Sequence, residues 1–340
     1  MTKTIFRTAA VCAGVCLALQ HVPAMAQGKT VLKFADSLPA NHLFTESVAK
    51  PWMEEVRKRT NGAVEFQHYP AEQLGKGKDM LTLAQSGVTD IALIVPPYLS
   101  DKLPLSGVVE LPGGFTSSCQ GVKGLWKIAN GGTLDKAELA PSGMRLLFAI
   151  VQPPFQIYST KKLDTLKDLE GQKLRTTGGA MDLMVRKLKG APVRMAAPEV
   201  YESLSRGTID GGVLAVVSVG SYNLGSLVKY GTQNENFGSA ALLYEISETA
   251  FKKLSPDVQK AMVEAGQDIT FKACSKIDED AARDNEKMRA NGVKLGRIAA
   301  ADHPAMEAAM TAVGAEWAEG LDKRGKPGSV VLREFRQALQ

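Results

Sequence analysis

Histidine and cysteine are scarce in this sequence, with four of each among 340 residues. His42, His68 and His303 lie far apart, and none stands at metal-ligand spacing to a cysteine, so no metal site is expected. The chain has no Gly-x-Ser-x-Gly elbow, no His-Glu-x-x-His helix and no phosphate-cradling glycine loop. An enzyme is therefore not expected, nor is a cofactor. Aromatic residues make up only 6% and are not interleaved with basic ones. Charge of one sign is also missing: 41 basic residues face 36 acidic ones, and no basic stripe forms. Nucleic acid is not an expected partner. Beyond the first 26 residues, no apolar run approaches the ~20 residues that a membrane span needs.

What is present begins with an export signal. Lys3 and Arg7 precede the apolar stretch from Thr8 to Leu19, and Ala24-Met25-Ala26 has the small-x-small form of a processing site. Residues 1–26 read as a cleaved signal peptide, which implies a periplasmic protein with no membrane insertion afterwards. Cys12 and Cys16 fall inside this segment, and Ala13-Gly14-Val15 is a poor lipobox. Taking 26 residues from 340 leaves 314, enough for two domains with proper cores. Two cysteines remain, Cys119 and Cys274; an oxidising compartment permits a bridge, but spacing does not settle it.

The periodicity that follows is that of an α/β protein. Val31 to Ala35 is a short apolar strand. Phe44, Val48, Trp52 and Val56 recur every four residues on one helix face that ends at Asn61-Gly62. Ala63 to Tyr69 alternates as a strand, a helix closes at Leu81 to Ser86, and Ile91 to Val95 is a buried strand. This strand–helix rhythm favours a largely parallel sheet. Leu83-Ala84-Gln85-Ser86-Gly87-Val88-Thr89-Asp90-Ile91 is then echoed by Leu204-Ser205-Arg206-Gly207-Thr208-Ile209-Asp210-Gly211, as if two lobes followed one plan. The strand Leu146 to Val151 leads into Pro153-Pro154, a candidate crossing between lobes, and Ser239 to Ile246 is a candidate return. A long polar helix over 255–291, broken or bent near Gly266, is expected to span both. The expected division is residues 27–152 as a first lobe with 238–275 returning to it. Residues 153–237 form the second lobe, completed by 276–340.

One side chain stands out. Gly171-Gln172-Lys173-Leu174-Arg175-Thr176 reads as a strand ending in a guanidinium just before Gly178-Gly179. An arginine at a strand end beside glycines suits capture of a carboxylate, because its planar fork matches two carboxylate oxygens. A structural ion pair with Asp168, Glu170 or Asp182 is the competing reading from the residues alone. In open α/β sheets, ligands sit at the carboxyl ends of strands. That places Phe34-Ala35-Asp36, Pro96-Pro97-Tyr98 and Arg175-Thr176-Thr177 on walls that face one another.

From Leu32 to Glu286 the pattern resembles the solute receptors of TRAP (tripartite ATP-independent periplasmic) transporters. The resemblance is carried by Leu166-Lys167-Asp168-Leu169-Glu170-Gly171-Gln172-Lys173-Leu174-Arg175, by Ala191-Pro192-Val193-Arg194-Met195, and by Glu199-Val200-Tyr201-Glu202-Ser203-Leu204 with Gly207-Thr208-Ile209-Asp210-Gly211. Leu254-Ser255-Pro256-Asp257-Val258-Gln259-Lys260 adds a further segment. It implies a two-lobed periplasmic binding protein fold, with a cleft between lobes, hinge strands and a helix spanning both. It also implies capture of a small organic acid by closure and its delivery to membrane permease subunits. In that family the arginine of the Gly-x-Lys-x-Arg strand pairs with the ligand carboxylate, and Arg175 occupies the place. Departures from the pattern are informative: Phe155 and Gln156 stand near the place of a second arginine, and Gly212-Val213-Leu214-Ala215 replaces a ligand-reaching asparagine segment. Such a pocket implies a monocarboxylate with an apolar or aromatic body. A receptor that presents its closed form to a sensor kinase or chemoreceptor is the alternative.

The candidate ligand-binding residues are accordingly Arg175, Gln156, Phe155, Thr177, Gly178, Tyr98, Pro97, Phe34, Asp36, His42, Val213 and Leu214. Gln156 is expected either to orient a carboxylate oxygen or to satisfy strand backbone; Phe155 is either pocket wall or core. Arg145, Arg186 and Arg194 read as surface charges.

Overall fold

A computed structural model describes residues 29–340; the signal segment, with Cys12 and Cys16, lies outside the described residues. Eleven strands form two sheets. In chain order they are β1 (Thr30–Ala35), β2 (Val64–Tyr69), β3 (Ile91–Ile94), β4 (Met144–Val151), β5 (Gln156–Ser159) and β6 (Lys173–Thr176). Then come β7 (Ala191–Arg194), β8 (Gly211–Leu214), β9 (Tyr230–Thr232), β10 (Ala241–Ser247) and β11 (Lys294–Gly296). The first sheet runs β2-β1-β3-β10-β4 and the second β11-β9-β5-β8-β6-β7. The fold is therefore α/β with two lobes. Strands of the first come from 30–151 and 241–247, and those of the second from 156–232 and 294–296.

The echoed motif is one structural device used twice. Gly87 and Gly207 both take positive φ, +75° and +68°, where a helix turns back towards its sheet. Asp90 Oδ2 then accepts from Lys33 N in β1, and Asp210 Oδ2 accepts from Lys173 N in β6, each at 2.8 Å. Asp90 N and Asp210 N donate back to the carbonyls of those lysines. Each aspartate thus clamps an earlier strand of its lobe, β1 or β6, to the strand that follows the aspartate, β3 or β8.

Two segments cross between lobes and hold each other. Gln152 N donates to Ala240 O, Phe155 N to Gly238 O, and Phe237 N to Phe155 O. A third connection is the 35-residue helix Pro256–Ala290, capped by the Ser255 side chain with Pro256 in its first turn. This helix is continuous, so Gly266 is not a break. Its hydrogen in place of a side chain lets the helix backbone rest on β4: a Cβ there would sit 2.0 Å from the Leu147 carbonyl oxygen.

The first-lobe core gathers on this helix. Trp52 is fully buried and donates Nε1–H to Met262 O at 3.3 Å, while its ring packs against Phe34, Phe66 and Phe148. Cys119 and Cys274 form a disulfide with Cα atoms 4.8 Å apart, tying the Ser118–Ala129 helix to the long one. The last part of the chain departs from the expected division. Helix Gly328–Ala338 packs on the first-lobe Ser118–Ala129 helix, with Phe335 against Phe115 and Leu339 O accepting from Gln120. Helix His303–Asp322 sits between it and the second-lobe helix Gly179–Lys187. The reason is the apolar stripe Val331, Leu332 and Phe335 of helix Gly328–Ala338, which this packing buries.

Candidate functional site

Arg175 is the last buried side chain but one of β6, between parallel neighbours β7 and β8. Close approach is built in: a Cβ on Gly212, its register partner in β8, would lie 3.1 Å from Arg175 Cβ. The guanidinium is 2% exposed, yet no carboxylate among the described residues pairs with it. Asp168 caps its own short helix with Thr165, Glu170 pairs with Lys189, and Asp182 accepts from Thr176 Oγ1 and pairs with Arg186. All three structural alternatives are thereby used elsewhere. Nε–H donates to Met195 O at 3.1 Å and one terminal NH2 to Val213 O at 3.3 Å, which fix the fork by backbone carbonyls. The other NH2 reaches 3.5 Å from the Tyr98 hydroxyl of the opposite lobe. Burial pulls the Arg175 pKa down, and Tyr98 and Tyr222 oppose that. A cation so desolvated gains most from an anion brought to it.

Around this group the lobes meet through polar contacts. Tyr98 follows β3, held by the Pro96–Leu99 turn, and its hydroxyl accepts from Ala197 N at 2.9 Å. Arg194, at the end of β7, donates through one NH2 to Pro97 O, Tyr98 O and Ser100 Oγ at 3.1–3.2 Å. It is exposed, as a surface charge is, and it also ties the second lobe to the turn that carries Tyr98. Gly178 sits at φ +110°, and a Cβ there would strike Arg194 Nε at 2.5 Å. Thr177 lies beside Glu110, a buried first-lobe carboxyl whose pKa is raised well above the usual range by burial and by Asp182. A cavity of about 390 Å³ opens here, lined by Glu72, Lys76 and Tyr98 on one side and Thr177, Arg194 and Met195 on the other. A larger cavity of about 870 Å³ lies between residues 41–46, 219–229 and the long helix. Its cations Arg283 and Lys287 are paired with Asp280 and Asp284, and its Lys229 is exposed, so it offers no buried cation comparable with Arg175.

Arg175, Val213, Tyr98, Pro97, Thr177 and Gly178 are therefore brought together. Asp36 and His42 form a second group on the first-lobe side. Asp36 is fully buried; Oδ1 accepts from Leu38 N at 2.8 Å and Oδ2 lies 3.6 Å from His68 Nε2. Burial raises its pKa, with His68 opposing. His42 Nδ1 accepts from Phe44 N at 3.1 Å, which leaves the proton on Nε2, and burial lowers its pKa to about 4. Its ring lies 5.3 Å from that of Tyr222. Phe34 is a core residue packed on Trp52, His68 and Tyr244. Phe155 and Leu214 are buried, Phe155 in the crossing itself.

Gln156 is the clear correction. Its Nε2 donates to Glu235 O at 2.5 Å, and its Oε1 accepts from Thr232 Oγ1 at 2.9 Å and from Glu235 N at 3.4 Å. The second Nε2 hydrogen faces Pro154 O at 3.5 Å, so the amide is turned to local backbone and to Thr232 rather than to a carboxylate oxygen. The residues not anticipated are Tyr222, Arg194, Met195, Glu110 and His68. Arg194 lay inside the Pro-Val-Arg-Met segment, a usable signal; Tyr222, after a short helix of valines and serines, gave none.

The comparisons agree with this geometry. A solute-binding protein of Albidiferax ferrireducens is 25% identical over 276 residues, 78% of this chain and 81% of the relative. Among solved structures, a TRAP solute binding protein of Rhodoferax ferrireducens in complex with copurified benzoate superposes with a TM-score of 0.85 at 24% identity. It covers 92% of this chain and 98% of its own. One of Bordetella bronchiseptica with bound (R)- and (S)-mandelate gives 0.83 at 23% identity, covering 91% and 98%. At such identities these structures establish the shared two-lobed fold. The sequence pattern of the bacterial extracellular solute-binding proteins, family 7, runs through residues 34–320, from the strand before Asp36 into helix His303–Asp322, and the chain belongs to that family.

Proposed function

We propose that this protein is a periplasmic receptor that captures a small organic carboxylate by closing its lobes on it and delivers it to the permease subunits of a TRAP-type transporter. The observation that carries the reading is Arg175: a buried guanidinium, held by two backbone carbonyls, with no acidic partner among the described residues. A carboxylate ligand supplies the missing countercharge. Tyr98 and Arg194 reach across the cleft, so the closed form is favoured by contacts that the open form lacks, and a ligand shifts the balance by its preference for that form. The ligand is a monocarboxylate with an apolar or aromatic body. In support, one fixed arginine serves one carboxylate group, and buried Val213, Leu214 and Phe155 stand where relatives of this family carry polar reach. Structural relatives solved with benzoate and mandelate are compatible with it. After signal cleavage the protein needs no membrane insertion, and no described helix is long and apolar enough to cross one.

The test is calorimetric titration of wild type and Arg175→Met with a panel of monocarboxylates, dicarboxylates and sugar acids, preceded by a thermal-shift screen. Removing one partner of a buried charge pair costs about 2–5 kcal/mol, so Arg175→Met weakens binding by roughly 30-fold to several thousand-fold. Submicromolar affinity retained in that variant rejects the carboxylate role. Preference for dicarboxylates or sugar acids keeps the receptor and discards the apolar body.

A further inference from the structure

Among the buried polar atoms that make no hydrogen bond to any described residue are Asp36 Oδ2, His68 Nε2 and the hydroxyls of Tyr222 and Tyr244. They form one cluster. In the first-lobe sheet, β2 supplies His68, β10 supplies Tyr244, and Asp36 follows the end of β1, which lies with β3 between them. Phe34 sits behind them with its ring 5.2 Å from that of His68 and 5.6 Å from that of Tyr244. Tyr222 comes from the second lobe, at the end of helix Val216–Ser221, and its ring is braced by His42. Burial raises the pKa of both tyrosines, Asp36 adds to each, and Arg175 opposes the rise at Tyr222. Tyr222 is therefore within electrostatic reach of Arg175 on one side and Asp36 on the other.

The chemistry of the cluster specifies what completes it. A carboxylate oxygen accepts, a phenol donates or accepts, and the 3.6 Å between Asp36 and His68 is too long for those two to satisfy each other. A hydroxyl group answers both demands, donating to Asp36 and accepting from a tyrosine. A second carboxylate on the ligand would meet the charge of Asp36, and an apolar end would leave every one of these atoms unpaired.

We infer that the acid held by Arg175 carries a hydroxyl group on its apolar body, remote from its carboxylate, and that Asp36, His68 and Tyr222 select for it. This rests on the carboxylate reading of Arg175. It makes the pocket two-ended: a cation for the acid group in the second lobe, and a hydroxyl-binding cluster closed across the cleft from the first. Tyr222 joins that cluster only when the lobes are shut, so the hydroxyl also favours closure.

The experiment is calorimetric titration of wild type, Tyr222→Phe, Asp36→Asn and Arg175→Met with matched pairs: benzoate and the hydroxybenzoates, phenylacetate and the hydroxyphenylacetates. At least one hydroxylated acid is expected to bind about tenfold or more tightly than its parent, since a site built to pair a hydroxyl discriminates strongly against its absence. In Tyr222→Phe and Asp36→Asn that advantage shrinks severalfold, while the parent acid changes by less than about threefold. Tyr222→Phe deletes an oxygen that no described residue pairs, so its melting temperature does not fall. Equal affinity for each pair, or equal losses for both members in Tyr222→Phe, overturns the inference and leaves the carboxylate receptor standing if Arg175→Met still abolishes binding. Failure of every acid to bind wild type overturns the carboxylate reading and this inference together.

Discussion

Arg175 and Gln156 illustrate how one kind of position acquires two fates. Both are buried polar side chains on second-lobe strands. Gln156 meets its needs within the lobe, on Thr232 and Glu235. Arg175 meets part of its needs from backbone carbonyls and has no carboxylate among the described residues. The two therefore differ under mutation. Gln156→Ala strands the Thr232 hydroxyl and the Glu235 backbone, and leaving such buried groups unpaired costs about 1–3 kcal/mol each. A lowered melting temperature with ligand affinity within about threefold of wild type is expected. A large loss of affinity at unchanged stability would reinstate Gln156 as a ligand contact. Side-chain identity was legible at both positions, but the hydrogen-bond partners, 76 and 79 positions from Gln156 and 20 and 38 from Arg175, were not.

Elements are joined more tightly than their sequence spacing suggests. The Cys119–Cys274 bridge closes a span of 155 residues and fastens the Ser118–Ala129 helix to the helix that runs through both lobes. The same junction is reinforced by Asp278, which accepts from Ser118 N at 2.7 Å and from Cys119 N at 3.2 Å. Replacing both cysteines by serine is expected to destabilise the protein by about 2–5 kcal/mol, read as a lower midpoint in urea. Ligand affinity should persist below that midpoint, because neither cysteine belongs to the cleft. An unchanged midpoint would mean that Asp278 and the helix packing suffice. The echoed Gly-x-x-Asp units were visible in the sequence because a helix stop followed by an aspartate is a local device. The docking of helix Gly328–Ala338 on the first lobe was not, since an amphipathic stripe tells that a helix is covered but not by what.

At the scale of the whole molecule, several buried carboxyls lie where the protein is most enclosed. Glu245, in β10 at an irregularity opposite β4, has both oxygens without a hydrogen bond to any described residue. Burial, then Glu138 and Asp135, push its pKa up to about 8. Asp36, Glu110 and Glu138 are raised as well, each chiefly by burial. A carboxyl raised in the folded state binds its proton more tightly there than in the unfolded chain. The stability it contributes is complete in mild acid and is lost as pH rises through the folded value. Thermal stability should therefore decline between about pH 5 and about pH 8, and Glu245→Gln should flatten that decline. A melting temperature that rises across the window, or a slope unaltered in Glu245→Gln, would contradict this assignment.

By itself the sequence determined the features that local chemistry enforces: an α/β alternation, a twice-used Gly-x-x-Asp clamp and an arginine at a strand end. Short-range periodicity and backbone preference write these in a few consecutive residues. Only the tertiary structure decided which groups meet. It spent Gln156 on backbone, set Arg194 across the cleft and left Arg175 without a carboxylate salt bridge among the described residues. It also gathered Asp36, His68, Tyr222 and Tyr244 from four separated segments. Whether a buried polar atom is satisfied depends on everything that surrounds it in space, and that is settled only when the lobes pack.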